Sequence, residues 1–395
     1  MSDLWPSVTV AELASASPGA LATGPFGSAV SAKHFRASGV PMIRGSNLST
    51  DLGVRLDDRH MVFLDKELAE RFKRSVARRG DLVFTCWGTI GQVGLIDSTA
   101  RFDEYVVSNK QMKLTPDPAK VDSTFLYYLL GQPKSVAAML NSAIGSSVPG
   151  FNLGQLKAWT VRLPPLSVQR RIAGVLGALD DLIDTNKRLM RSLKDAVTAE
   201  YWRLMLGETT PVRLFDACSV DFGSAFKGSR FTEPGDGLPL LRIRDLKTFK
   251  SDTWTTERIT GDVLVQPGDV VVGMDAEFRS TLWLGAPSLL NQRVCRIRPK
   301  IGSLAFIREA LIGPLAFIEG HKTGTTVSHL NKGDLEETKL HLPTPDAIAA
   351  FDYVAEPMRL AIVSLHQEAE MVGNTRDELL PLLLSGAVTV AESAA

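Results

Sequence analysis

Two short stretches carry the side chains best suited to chemistry. Arg44, Gly45, Ser46 and Asn47 recur as Arg242, Ile243, Arg244 and Asp245 at the same place in a repeated sequence. Arginine and asparagine match the donor and acceptor edges of guanine and adenine, and serine suits phosphate oxygens. Upstream in each copy stand Lys33 and Arg36, then Lys227 and Arg230, which can track a phosphate backbone. Downstream lie Trp87, Thr89, Gln92, Lys110 and Gln111 in the first copy, and Arg279 and Arg293 in the second. Two hydroxyl-rich loops complete the set: Ser146 and Ser147 after Gly145, and Thr325 and Thr326 beside Lys322. Small hydroxyls with free backbone N–H groups suit a phosphate. The competing readings are internal salt bridges for the arginines and ordinary loop hydrogen bonding for the hydroxyls.

Signatures of catalysis are missing from the chain. There is no phosphate-binding GxxxxGK[ST] loop, no Asn-Pro-Pro-aromatic methyltransferase motif, no HExxH and no GxSxG. Gly88, Gly91 and Gly94 form GxxGxxG, but the flanking strand pattern favours a hairpin. Glu337 and Lys339 resemble half of a nuclease motif without its upstream partner, and the first copy has Ala158 and Thr160 there. The histidines show no ligand spacing, and Cys86, Cys218 and Cys295 form no CxxC pair. No metal site, disulfide or bound cofactor is expected.

These residues must be positioned by a duplicated scaffold. RRGDLVFTCWGTIGQVGLI from Arg78 is echoed by QPGDVVVGMDAEFRSTLWLG from Gln266, and VVSNKQMKLTPD from Val106 by LLNQRVCRIRPK from Leu289. GSSVPGFNLGQL from Gly145 is echoed by GTTVSHLNKGDL from Gly324. Each copy predicts short strands over 41–44, 81–85 and 106–115, or 239–242, 269–272 and 289–298. A helix follows, over 123–140 or 304–318. Two copies at this period are duplicated domains, not a solenoid.

Each copy ends in a long helix. Residues 164–207 open on two prolines and keep a 4-3 apolar spacing typical of a coiled-coil seam. Taking Ile172 as an a position puts Leu179, Asn186 and Leu193 at a, with Val175, Leu182 and Leu189 at d. Asn186 is then a lone buried polar residue that fixes register. The second helix, over about 346–385, continues the seam with Phe351, Val354, Met358, Ala361, Leu365 and Val372. Pro357 is expected to kink or divide it. Both helices leave a domain at the same point, so side-by-side packing implies antiparallel pairing about a pseudo-two-fold axis.

The fold class expected is therefore α+β: two homologous mixed α/β domains separated by two long helices in an antiparallel coiled coil. Boundaries fall at 1–163 for the first domain, 164–207 for the first helix, 208–342 for the second domain and 343–387 for the second helix. Residues 388–395 form a tail.

Net charge is zero, but unevenly spread: residues 1–165 carry 18 basic and 14 acidic side chains, and residues 344–395 carry 2 and 8. A neutral total thus conceals a mildly basic first half. No apolar run approaches the roughly 20 residues of a membrane span, and no signal pattern opens the chain, so a cytoplasmic protein is expected.

The run LPPLSVQRRIAGVLGALDDLID, the closing RDELLPLLLSG and the order of domain then helix, written twice, resemble the specificity subunits of type I restriction–modification systems. The resemblance covers nearly the whole chain. It implies two target recognition domains, each reading half of a bipartite site in double-stranded DNA, held apart by the helices. It further implies docking of two methyltransferase subunits and of restriction–motor subunits. S-adenosylmethionine and ATP then belong to those partners. A scaffold that binds only proteins, or an enzyme with duplicated domains, is the alternative.

Overall fold

In the computed structural model, residues 5–26, 29–143, 150–321 and 329–391 are described below. The chain divides into two units: residues 1–184 with 371–395, and residues 185–370. Each contains one copy of the repeat and half of each long helix.

The first unit holds two four-stranded sheets. One orders Leu21–Thr23, Gln111–Leu114, Leu82–Thr85 and Val93–Leu95, all antiparallel. The other orders Val62–Leu64, Val40–Ile43, Glu104–Val107 and Val76–Arg78, with its central pair parallel. Leu82–Thr85 is buried at every residue, so both of its faces are covered and its apolar residues need not alternate. Asp122 caps the helix Ser123–Gly131 by accepting from the Phe125 N–H at 2.9 Å. Seven consecutive residues of that helix are buried.

The second unit repeats this plan. Its antiparallel sheet orders Cys218–Phe222, Val294–Pro299, Val270–Gly273 and Ser280–Leu282. Its mixed sheet has the parallel pair Leu238–Leu241 and Ser288–Leu290 at the centre and one extra edge strand, Phe231–Thr232.

Both expected mid-domain helices are broken in two. In the first copy Ser123–Gly131 gives way to Pro133–Ser142, with Gln132 extended at ψ 151°. A proline disfavours helical backbone in the residue before it. In the second copy Leu304–Ala310 is followed by Ile312–His321. Pro314 has no N–H to give to the carbonyl of Ala310, where the first helix stops.

The long helices run Leu166–Leu204 and Pro345–Ser385. At 39 residues the first is roughly 60 Å long. The second starts with Thr344 Oγ1 accepting from the Ala347 N–H and stops at Gly386, whose φ of 70° closes the last turn. Pro357 does not divide it. The proline is exposed and so is Tyr353, whose carbonyl loses its helical donor, so water can satisfy that oxygen.

Within the first unit the two helices run antiparallel. Asp180 meets Arg376 at 2.7 Å, and Ile183 lies beside Gly373. Within the second unit the Asn186 side chain donates to Glu368 at 2.9 Å and Tyr201 packs edge-on to Phe351, again antiparallel.

The seam differs from the expected register. Leu182 and Leu189 are 38% and 47% exposed, and Val354 is exposed too. Val175, Leu179, Leu193, Met358, Ala361, Leu365 and Val372 are half-buried. The buried heptad is Leu176, Ile183, Met190 and Val197, one residue beyond the assigned d positions, with Ile172 and Asn186 buried as assigned. Ile172 and Asn186 thus occupy d, not a. In the second helix Phe351 is buried with Ala355, Arg359, Ile362, Ala369, Arg376 and Leu380.

Candidate nucleic-acid interface

One backbone framework gathers the candidate loops at one edge of each copy. In the first, the Ser108 N–H donates to Ile43 O at 3.0 Å and the Gln111 N–H to Ser108 O at 3.0 Å. The Cys86 N–H donates to Lys110 O at 2.8 Å, and the Phe151 N–H to Cys86 O at 3.0 Å. The second copy repeats all four bonds. Asn291 donates to Leu241 O, Val294 to Asn291 O, Met274 to Arg293 O and Leu330 to Met274 O, at 2.8–3.2 Å. Gly24 and Gly223 permit the tight packing beneath: a Cβ on either would stand 2.0 Å from the carbonyl oxygen of Ser108 or Asn291.

On this framework Arg44 and Arg242 sit alike. Each leads a 3₁₀ turn, Gly45–Asn47 or Ile243–Leu246. The backbone N–H of Arg44 donates to Asn47 Oδ1 at 3.0 Å, and that of Arg242 to Asp245 Oδ2 at 2.9 Å. The Arg44 guanidinium lies over Phe35, 5.9 Å from the ring centre, and that of Arg242 over Phe231 at 6.0 Å. In each arginine Nε is buried without a hydrogen-bond partner. Neither forms an ion pair among the described residues. A half-buried guanidinium stacked on a ring, with no carboxylate paired to it among the described residues, has the chemistry to donate to an acceptor from outside.

Several expected contacts are spent inside the fold instead. The Asn47 side chain is buried and also donates to Asp57 O at 2.9 Å. Gln92 accepts from Thr85 Oγ1 and donates to Gly45 O and Leu48 O. Gln111 is fully buried against Ser108 and Thr85. These three amides hold the loops. Arg36 pairs with Asp65 at 3.0 Å, Arg293 lies 3.5 Å from Asp275, and Arg279 lies 3.7 Å from Glu277. Lys33, Ser46, Thr89, Lys110, Lys227, Arg230 and Arg244 are exposed. Ser146, Ser147, Lys322, Thr325 and Thr326 lie outside the described residues.

Trp87 is half-exposed and pairs by backbone with Gly150, on which a Cβ would strike its ring at 2.6 Å. The second copy places Asp275 there, paired with His329 Nδ1 at 2.5 Å. Burial pushes the Asp245 carboxyl up to about 6; Asp252 adds to this, and Arg244 pulls against it. Burial also raises the thiols of Cys86, Cys218 and Cys295, which sit inside the sheets as inert apolar residues. Among the described residues no group of three His, Cys, Asp or Glu side chains could hold a metal ion, and no helix is long and apolar enough to cross a membrane.

Sequence reasoning missed the aromatic seats, Phe35 and Phe231, and the two close-packed glycines. A signal existed, since both copies carry a phenylalanine shortly before the proline of the central strand.

Residues 27–195 and 207–348 match the family described as the type I restriction modification DNA specificity domain. The specificity subunit of the type I restriction enzyme EcoBI of Escherichia coli is 32% identical over 187 residues, which span 45% of this chain but only 39% of that relative. That of the enzyme MjaIX of Methanocaldococcus jannaschii is 20% identical over 361 residues, covering 80% of this chain and 79% of that one. The crystal structure of a type I restriction–modification S subunit from M. genitalium superposes with a TM-score of 0.63 at 15% identity, covering 98% of this chain and 97% of that one, a likeness of fold.

Proposed function

The chain belongs to the type I restriction–modification DNA specificity family, and on that footing we propose that it reads a bipartite duplex site, one half through each copy of the repeat. The observation that carries the reading is the pair Arg44 and Arg242. Two arginines on equivalent turns, each stacked on a ring and each with a buried Nε lacking a partner, form two matched donors with no ion-pair acceptor among the described residues. Bidentate donation to guanine O6 and N7 is the commonest use of such a group. Lys33, Lys110, Lys227, Arg230 and Arg244 surround or flank the two turns as phosphate contacts. The hydroxyl loops at 145–147 and 323–326 take the same role.

In this reading the chain performs no chemistry itself. It scaffolds two methyltransferase subunits and the restriction–motor subunits, which bring S-adenosylmethionine and ATP. The paired helices act as the ruler of the spacer between half-sites. One heptad inserted into both helices, after Asp184 and after Glu370, keeps their seam in phase and adds ~10 Å. It should lengthen the spacer by a few base pairs.

The test is the pattern of methylated adenines in cells expressing this chain with its methyltransferase partner. Arg44→Ala should relax one half-site and Arg242→Ala the other, leaving the opposite half unchanged. Two variants with wild-type methylation patterns would remove the assignment.

A further inference from the structure

We propose that the seam of the long helices is written to accept the other half of the same chain and to refuse a like half. The helices are repeats of one another. Ile172, Leu176, Ile183 and Tyr201 of the first are buried, and so are Phe351, Ala355, Ile362 and Leu380, each 179 residues on. Two copies of one amphipathic helix would be expected to pair indiscriminately, first with first as readily as first with second. The apolar seam positions offer no discrimination. The polar ones do.

In the first unit Asp180 and Arg376 are 4% and 7% exposed and meet at 2.7 Å. The Tyr128 hydroxyl donates to the same carboxylate at 2.5 Å. At the position equivalent to Asp180 the second helix has Arg359, and at the position equivalent to Arg376 the first helix has Val197. Pairing two first helices would set Asp180 against Val197 and strip a buried carboxylate of its cation. Pairing two second helices would bring Arg359 against Arg376, both buried.

The second unit carries a further, half-exposed polar contact, between the buried Asn186 and the exposed Glu368. Asn186 donates to Glu368 at 2.9 Å. Their equivalents are Leu365 and Leu189. Pairing of like helices would leave the amide facing one leucine, or the carboxylate facing the other. In both contacts the polar partners meet only when unlike helices pair. Removing one partner of a buried pair is costly, whereas replacing both with apolar groups often is not. This asymmetry makes such contacts devices of selection.

Full-length variants, followed by light scattering and thermal denaturation, distinguish selection from mere stability. The wild-type chain should be monomeric. Asp180→Arg places two arginines in the first contact and should lower the thermal midpoint without creating a new partner. Arg376→Asp lowers it as well, but it also makes the second helix self-complementary, because Asp at 376 now meets Arg359 of another copy. It alone should form dimers, with a dissociation constant at least ~100-fold below that of the wild type. The double exchange should recover the midpoint. A further variant keeps the fold while erasing the code: with Asp180, Asn186, Glu368 and Arg376 all changed to Leu, the chain should retain its midpoint and self-associate. The proposal fails if Asp180→Arg and Arg376→Asp match in oligomeric state, if the double exchange is no better than the sum of its parts, or if the four-leucine chain stays monomeric.

Discussion

In the first copy the backbone of Cys86 bridges Lys110 and Phe151; in the second, Met274 bridges Arg293 and Leu330 by the same bonds. The side chains on those backbones have little in common. Trp87 lies against Gly150 in one copy, while Asp275 is paired with His329 in the other. Asn47 and Asp245 cap equivalent turns, one neutral and one ionisable. Backbone hydrogen bonds do not depend on side-chain identity, so a framework built from them lets the exposed positions change while the edge keeps its shape. What the copies keep in side chains is the stacked arginine and the close-packed glycine.

Breaking the framework should have the largest effect. Gly24→Ala and Gly223→Ala each drive a Cβ into a neighbouring carbonyl and should cost more than ~4 kcal/mol in unfolding free energy. The loss should be alike in the two copies, and unequal losses by chemical denaturation would show that the frameworks are not equivalent. Arg44→Ala and Arg242→Ala should leave stability nearly intact, yet cost ~1–3 kcal/mol of discrimination at one half-site in binding assays with the assembled complex.

Asp245→Asn transfers the first copy's residue to the second. The folded carboxyl titrates near 6, above its ordinary 3.8, so the native state holds the extra proton. Stability therefore falls as pH rises from about 4 to about 6, and the cost is complete above that range. The amide removes it, so the variant should gain up to ~3 kcal/mol at pH 7 and nothing below pH 4. Thermal midpoints across this range read the sign directly. The smallest effect belongs to Lys110→Ala and Lys227→Ala. Each should weaken binding to all sequences alike and reduce the slope of log affinity against log salt by ~0.9.

Much of this was legible in the sequence because duplication supplies its own control. A strand or turn that appears twice is not an accident of composition, and the paired arginines stood out for that reason. The seam was harder. Val175 and Leu176, Leu182 and Ile183, and Leu189 and Met190 are adjacent apolar pairs. Two stripes one residue apart fit such a pattern equally well. Which one is buried depends on where the rest of the unit packs, a long-range fact absent from the periodicity. Asn47, Gln92 and Gln111 were misread for a related reason. The amide that can read adenine also satisfies buried carbonyls and caps turns, and only the surrounding backbone decides which. Arg36 stays exposed and pairs with an acid distant in sequence, Asp65, a contact that periodicity does not show.

The lengths of the two copies carry a historical consequence. Matched residues stand 199 apart at Gly24 and Gly223, 188 at Cys86 and Met274, and 183 at Ser108 and Asn291. From Val161 and Leu340 through Tyr201 and Leu380 the interval is constant at 179. Surface loops absorb an added residue, whereas a helix turns its stripe by roughly 100° for each one. Genetic crossover anywhere within the constant stretch would exchange one copy of the repeat and leave the register of the helices unaltered. Such a gene can acquire a new specificity in one recombination event without renegotiating its geometry.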